Sequence, residues 1–315
     1  MNDAKPSKTM RDALIDTVYE KMQNDDSIFF LTADFGAPSL DKLRQDFKDR
    51  FINVGIAEQN LINVASGLAY EGFTVYAYAI AGFLTMRAYE QIRINLALSA
   101  QHREINVNLI GVGAGVSYDV AGPTHHCLED LSIISTLPNI ILCSPSDWVS
   151  TKKFVDFSLN VKKPKYIRLD GKPLPQIYDE NEDFDWQKGF KQLIVGSDIC
   201  IVSTGYMTHM ALKAAKQCHA SLIDIFTLKP IDKDALFLQL KKHNVVITME
   251  EAFKDTGGLD RLILNIIKEK NANIKIKNIG FPDKYLFKSG GRNVLYETAG
   301  LSEKMLLQTI TECKV

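Results

Sequence analysis

Several things are scarce in this sequence, and each scarcity excludes something. Cysteine is sparse: Cys127, Cys143, Cys200, Cys218 and Cys313 are odd in number and widely scattered, with no C-x-x-C pair. Neither a disulfide framework nor a cysteine-based zinc site is indicated, and a reducing cytoplasm is the expected compartment. Long apolar runs are missing. The longest, over 76–84, is too short to span a bilayer. The N-terminal stretch MNDAKPSKTMRDAL lacks the apolar core of a secretory signal. Charge of one sign is missing too, since 37 basic residues face 38 acidic ones. A chain near neutrality sets up no general field to gather nucleic acid or anionic lipid, so no partner of either kind is expected. The short basic cluster VKKPK (161–165) reads as surface flanking a strand.

Two nucleotide-binding signatures are also absent. No Gly-Lys-Ser/Thr occurs, so there is no P-loop. The glycines of LIGVGAGVSYDVAGP (109–123) follow a strand pattern. Their spacing is G-x-G-x-G, and Gly122 and Pro123 interrupt any helix that would follow. That is the wrong context for a dinucleotide fingerprint.

What is present is a soluble-protein composition, 46% hydrophobic and 24% charged over 315 residues, enough for two domains. Helical periodicity over 8–24 precedes a β-branched run at 27–33. Short strands at 50–54, 74–79, 105–112, 139–143 and 164–169 follow, interleaved with helices over 57–70 and 86–99. Such alternation predicts a parallel, doubly wound α/β sheet. The stretch 170–189 has two prolines, clustered acids and no periodicity, so it reads as a connection. Beyond it, strands at 198–205, 221–226, 244–250 and 273–280 alternate with helices again. The expected organisation is a domain over 1–170, a linker over 171–190 and a smaller α/β domain over 191–315.

In open parallel sheets, ligands sit beyond the carboxyl ends of the strands, so the segments after each strand are the candidates. Glu58, in VGIAEQN, opens a helix, where free N–H groups and the macrodipole favour a carboxylate. FLTMRAYEQIRINLAL (83–98) reads by itself as a packed amphipathic helix. GPTHHCLEDL (122–131) places two adjacent histidines in a loop. They are either plain polar loop residues or neutral imidazoles donating to a substrate. Adjacent histidines rarely share one metal and no third ligand is suitably spaced, so no metal site is expected on this chain.

The order VGIAEQN, FLTMRAYEQIR, GPTHH, IRLDGKP, then SGGRNVLYETAGLSE resembles the transketolase family over essentially the whole chain. It is most similar to the C-terminal chain of split, two-subunit transketolases, with 1-deoxyxylulose-5-phosphate synthase a near relative. The resemblance implies a pyrimidine-binding domain followed by the family's C-terminal domain, both α/β. It also implies dependence on thiamine diphosphate and magnesium. The family's diphosphate-binding signature, Gly-Asp-Gly with an Asn about thirty residues later, has no match here. The magnesium and diphosphate ligands are therefore expected on a partner, the N-terminal transketolase subunit, in an α2β2 assembly.

Residue by residue, the resemblance implies that Glu58 hydrogen-bonds N1′ of the cofactor's aminopyrimidine and shares a proton there. Phe83 matches the ring that stacks on the pyrimidine, and Asp34 an acid lining the cofactor channel. His125 matches the histidine at the donor sugar's carbonyl and hydroxyls. Arg11 and Arg168 match arginines that hold a sugar phosphate, and Ser39 joins them. The bland alternatives are helix capping for Glu58, plain core for Phe83 and surface ion pairs for the arginines. Two positions depart from the family: Ala121 stands where ordinary transketolases carry an Asp that recognises a sugar hydroxyl, and Gly113 where they carry a His; Asp119, two residues from the first, is the candidate substitute for that Asp. Lost polar contacts of this kind change substrate preference. The implied activity is transfer of a two-carbon ketol unit from a ketose to an aldose, with a specialised substrate. The rival readings are a decarboxylating relative, either deoxyxylulose-phosphate-synthase-like or like the β-subunit of a 2-oxoacid dehydrogenase, and a non-catalytic regulatory paralogue.

Overall fold

A computed structural model of the protein describes residues 7–196 and 198–313. The first six residues, part of the N-terminal stretch read above, and Ser197 and residues 314–315 lie outside the described residues. The chain divides into two compact units, one of 1–114, 133–143 and 147–184 and another of 115–132, 144–146 and 185–315. Both are α/β, as the alternation of strand and helix patterns predicts.

In the first unit, α1 (Met10–Met22) leads into β1 (Ile28–Thr32), then α2 (Leu40–Asp46), β2 (Phe51–Asn53), α3 (Glu58–Tyr70) and β3 (Thr74–Ile80). After them come β4 (Val107–Val112), β5 (Ile141–Cys143), α4 (Trp148–Asn160) and β6 (Lys165–Leu169). These six strands stand in the order β5-β6-β4-β3-β1-β2, and every pairing among them is parallel. Strands β4, β5 and β6 are buried along their whole length, which explains why they show no inside–outside alternation; β5 is apolar throughout, whereas β4 buries Asn108 and β6 buries Lys165 and Arg168.

Helix α4 has no counterpart in the sequence reading. Its start is well signalled, because Asp147 and Ser150 form a reciprocal capping box. The other carboxylate oxygen of Asp147 accepts the backbone N–H groups of Ile177 and Tyr178 at 2.8 and 2.9 Å. Residues 7–8 pair antiparallel with 174–175, so the proline-rich stretch after β6 is fastened to the first unit at two points.

The basic cluster corrects one expectation. Lys165 is not surface: it is fully buried, its Nζ donating to Asn106 Oδ1 at 2.7 Å and to the Lys163 carbonyl at 2.9 Å. It heads β6 between two strands, which a count of surface lysines does not reveal.

The second unit builds its sheet from β7 (Phe190–Ile194), β8 (Ile199–Ser203), β9 (Ser221–Ile225), β10 (Val245–Phe253) and β11 (Lys275–Phe281). Their order is β11-β10-β8-β9-β7, parallel except that β7 runs antiparallel to β9. An antiparallel edge strand needs no helical crossover, so strand–helix alternation does not announce it. Helices α5 (Met207–Cys218), α6 (Lys233–Leu240), α7 (Leu259–Glu269), α8 (Arg292–Ala299) and α9 (Glu303–Glu312) accompany it. Ile201, Leu222, Ile247, Phe281, Leu295 and Ile310 belong to its core. Each contributes roughly 1.5–3 kcal/mol by leaving water. Among the described residues no helix is long and apolar enough to cross a membrane.

Burial pushes Lys165 from its ordinary 10.5 down to about 7. Between those values the unfolded chain binds a proton that the folded chain does not, so this group's contribution to stability rises with pH through that window. Below it, the fold carries the full cost of a buried ammonium. The slope from one such group reaches about 1.4 kcal/mol per pH unit. Urea unfolding of the wild type and Lys165→Met at pH 6.5, 7.5 and 8.5 is the check, with the difference between the two expected to shrink as pH rises. Parallel curves would refute the assignment.

Candidate active site

Parallel pairing of β2, β1 and β3 brings the segments that follow these strands to one edge of the first unit's sheet. Asp34 follows β1. It is exposed and sits at φ +54°, a left-handed conformation that Asp tolerates better than most side chains. Asn53, the last residue of β2, explains why it stays there. Its Oδ1 accepts the N–H groups of Asp34 and Gly55, both at 3.0 Å, and its Nδ2 donates to the Asp34 carboxylate at 2.8 Å. One carboxamide thus ties the ends of two strands together just ahead of Glu58.

Glu58 is the first residue of α3 and only 3% exposed. Its Oε2 accepts from Arg87 Nη1 at 2.6 Å, and Oε1 has no hydrogen-bond partner among the described residues. A capping residue at a helix start is ordinarily wet. This carboxylate is buried and spends one oxygen on a guanidinium.

Phe83 and Arg87 bound a π-helical turn, Phe83–Arg87, that begins three residues after β3. A short α segment, Tyr89–Gln91, and a second π-helical run, Ile92–Leu98, continue it. The sequence pattern predicts an ordinary helix over 86–99. The wider turn changes which side chains share a face, and single π turns are frequent at functional sites. Here Phe83 is half-buried and the Arg87 guanidinium lies 4.8 Å from its ring centroid. Glu58, Phe83 and Arg87 therefore form one constellation. From sequence Arg87 reads as a surface residue of an amphipathic helix. A signal exists in its spacing of four from Phe83, but a lone sequence gives no reason to prefer it over Arg93.

Arg11 and Ser39 also come together, through an unforeseen intermediary. Asp12 Oδ1 accepts from Arg11 Nε at 2.9 Å and from Ser39 Oγ at 2.8 Å. Its Oδ2 accepts from Thr9 Oγ1 at 2.5 Å and from Arg11 Nη2 at a longer 3.3 Å. Burial acts to raise the Asp12 pKa, but the Arg11, Thr9 and Ser39 donors outweigh it and hold the carboxyl below its usual range. Arg168 lies on β6 opposite Gly111 of β4 and is 3% exposed, so it is not one half of a surface ion pair.

His125 belongs to the second unit. It is half-buried, with Nδ1 3.1 Å from Thr124 Oγ1. Its neighbour His126 is buried, and its Nε2 has no hydrogen-bond partner among the described residues. Desolvation pushes the His126 pKa down. The Asp119 carboxylate acts against this, and His125 adds to it. Gly113 sits at φ +94°, where a histidine would be strained, so the backbone here suits the residue present. Among the described residues no three His, Cys, Asp or Glu side chains are grouped as a metal site.

Two family profiles match the chain: "Transketolase, pyrimidine binding domain" over residues 7–176 and "Transketolase, C-terminal domain" over 191–306. The chain is 29% identical over 309 residues to one of the subunits of the apulose-4-phosphate transketolase of Phocaeicola vulgatus, with 96% of each chain covered. It is 30% identical over 309 residues to the 6-deoxy-6-sulfo-D-fructose transketolase subunit SqwH of a Clostridium species, covering 96% of this chain and 94% of that one. A solved split-gene transketolase, an inactive β4 tetramer, superimposes with a TM-score of 0.85 at 29% identity and covers 98% of both chains. With both domains matched in order and relatives of the same length, the chain belongs to the thiamine-diphosphate-dependent transketolase family, as the C-terminal subunit of a split transketolase that transfers ketol groups.

Proposed function

We propose that this chain supplies the aminopyrimidine side of an active site completed by an N-terminal, diphosphate-binding subunit in an α2β2 assembly. Magnesium and the diphosphate are held by that partner. In this reading residues 1–170 form the pyrimidine-binding domain, 171–190 the connection and 191–315 the C-terminal domain, and the complex works in the cytoplasm. The observation that carries the proposal is Glu58, a buried carboxylate with one oxygen on Arg87 and the other without a partner among the described residues, beside the half-buried ring of Phe83. That set suits a flat, uncharged heterocycle with a ring nitrogen at its edge. The split-gene neighbour is an inactive tetramer of β chains, which supports reading such a chain as half an enzyme.

Each residue then has a task. Glu58 holds and shares a proton at N1′ of the pyrimidine, and Phe83 stacks on its face. Arg87 fixes the carboxylate's orientation, and Asp34, held by Asn53, lines the approach. Thiamine diphosphate, when bound, supplies the carbanion chemistry; the chain supplies protonation state, orientation and exclusion of water. His125 donates to the donor sugar's carbonyl and hydroxyls. Arg11, Ser39 and Arg168 receive an anionic end group, for which guanidinium offers paired, planar donors. Arg11's longer bond to Asp12, at 3.3 Å, is the arm an anion would replace. The two relatives are named for substrates that carry a phosphate or a sulfo group, so we propose a ketose with an anionic end as the donor class.

Glu58→Gln in the reconstituted complex should lower ketol transfer by about 10²–10⁴-fold, the span usual for a lost proton-transfer group, with the melting temperature little changed. Wild-type turnover in this variant would remove Glu58 from the chemistry and favour the regulatory-paralogue reading. Thiamine diphosphate with magnesium, titrated calorimetrically, should bind the complex and not the lone chain. Tight magnesium-dependent binding to the lone chain would overturn the shared-site reading. Pyruvate consumption without ketose cleavage would assign the decarboxylating alternative.

A further inference from the structure

The segment that carries His125 is held by a buried charge network with no role in the mechanism so far. Residues 116–126 leave and return through a closed neck. Gly115 N–H donates to the Cys127 carbonyl at 2.9 Å, and Cys127 N–H donates to the Gly115 carbonyl at 2.8 Å. Midway along, Asp119 is 3% exposed, and its Oδ2 accepts the backbone N–H of Arg292 at 2.6 Å. Arg292 is the first residue of α8, so this carboxylate meets a helix start, where free N–H groups and the dipole favour negative charge.

The Arg292 side chain turns the other way. Its Nη2 and Nε donate to Glu251 Oε2 and Oε1 at 2.5 and 3.1 Å, a two-pronged ion pair with both side chains under 10% exposed. The Tyr206 ring lies 3.3 Å from the guanidinium carbon, and Tyr296 Oη donates to Glu251 Oε1 at 2.8 Å. Glu251 in turn presses on the neck of the loop. A Cβ at Gly115 would fall 2.2 Å from Glu251 Oε2, so only glycine fits that position. The network therefore grips the loop twice, at Asp119 and at Gly115.

A buried ion pair is a poor device for stability alone, because desolvating both charges offsets most of their attraction. What this one does that an apolar cluster would not is fix a loop by directional bonds. We propose that Arg292, acting through Asp119 and Glu251, is a positioning residue for His125, holding residues 116–126 in one conformation. The proposal rests on the reading of His125 as a group that handles the donor sugar. It also commits Asp119 to Arg292. Asp119 then does not stand in as the hydroxyl ligand for which position 121 has only alanine, and the substrate meets the loop without a carboxylate there.

The test uses the full chain in complex with its partner, in the variants Arg292→Met, Asp119→Ala and Asp119→Asn. Amide hydrogen exchange across 116–126, kcat and KM for the ketose, and the cofactor Kd are measured. Asp119→Ala removes the acceptor for the residue-292 N–H, and Arg292→Met keeps that N–H but frees Glu251 at the neck. In each, loop exchange should quicken about tenfold or more, the scale expected for losing a charged hydrogen bond. The β8 amides should exchange as in the wild type, kcat should fall several-fold with KM raised, and the cofactor Kd should stay unchanged. Asp119→Asn keeps an oxygen acceptor and should restore most of both readouts. If Arg292→Met does not fold, the Asp119 pair decides alone. Unchanged loop exchange, or exchange quickened equally throughout the second unit, would overturn the proposal. Faster loop exchange with unaltered kcat and KM would leave the anchor standing and remove His125 from substrate handling.

Discussion

Parallel hydrogen bonding between β2, β1 and β3 is the constraint from which the candidate site follows. Parallel strands share a direction, so their carboxyl ends emerge on one edge, and whatever follows each strand is delivered there. Glu58 and Phe83 are 25 residues apart in sequence, yet Arg87 touches both. No local property of the helix that begins at Glu58 buries its carboxylate. The burial comes from the turn after β3 folding over the start of α3.

The second organising feature is the use of polar side chains to fasten irregular backbone. Asn53 fixes the end of β1 to the end of β2, Asp147 fixes residues 177–178, and Asp119 fixes the histidine loop. Glu250 does the same for the start of α7, accepting from Leu259 and Asp260 N–H groups at 2.8 and 2.9 Å. Each of these carboxylates and carboxamides serves backbone donors that a loop would otherwise leave to water. Such anchors let a loop hold a fixed shape without regular structure of its own, which is what a site built beyond strand ends needs.

Strand positions are legible because buried parallel strands are β-branched runs, and both sheets come out where those runs lie. Helix α4 is hidden although Asp147 signals its start, since its apolar face is broken by Ser150, Thr151 and Ser158, all buried. Strand β7 is hidden because a short antiparallel edge carries no crossover. The regular helix expected over 86–99 is largely π-helical, and apolar spacing does not distinguish the two. Asp12, which joins Arg11 to Ser39, and Arg87, which joins Glu58 to Phe83, look like ordinary surface residues. A charged side chain in a helix has the same sequence signature whether it faces solvent or another charge.

The sequence by itself determined the α/β class, the family and the residue types available for chemistry, because periodicity, composition and ordered motifs are local properties of the chain. Only the tertiary structure decided which charges meet. Lys165 reads as surface and is buried; Asp119 reads as a candidate sugar ligand and is held by Arg292. Partner choice depends on distances between residues far apart in the chain, and those exist only once the sheets have formed.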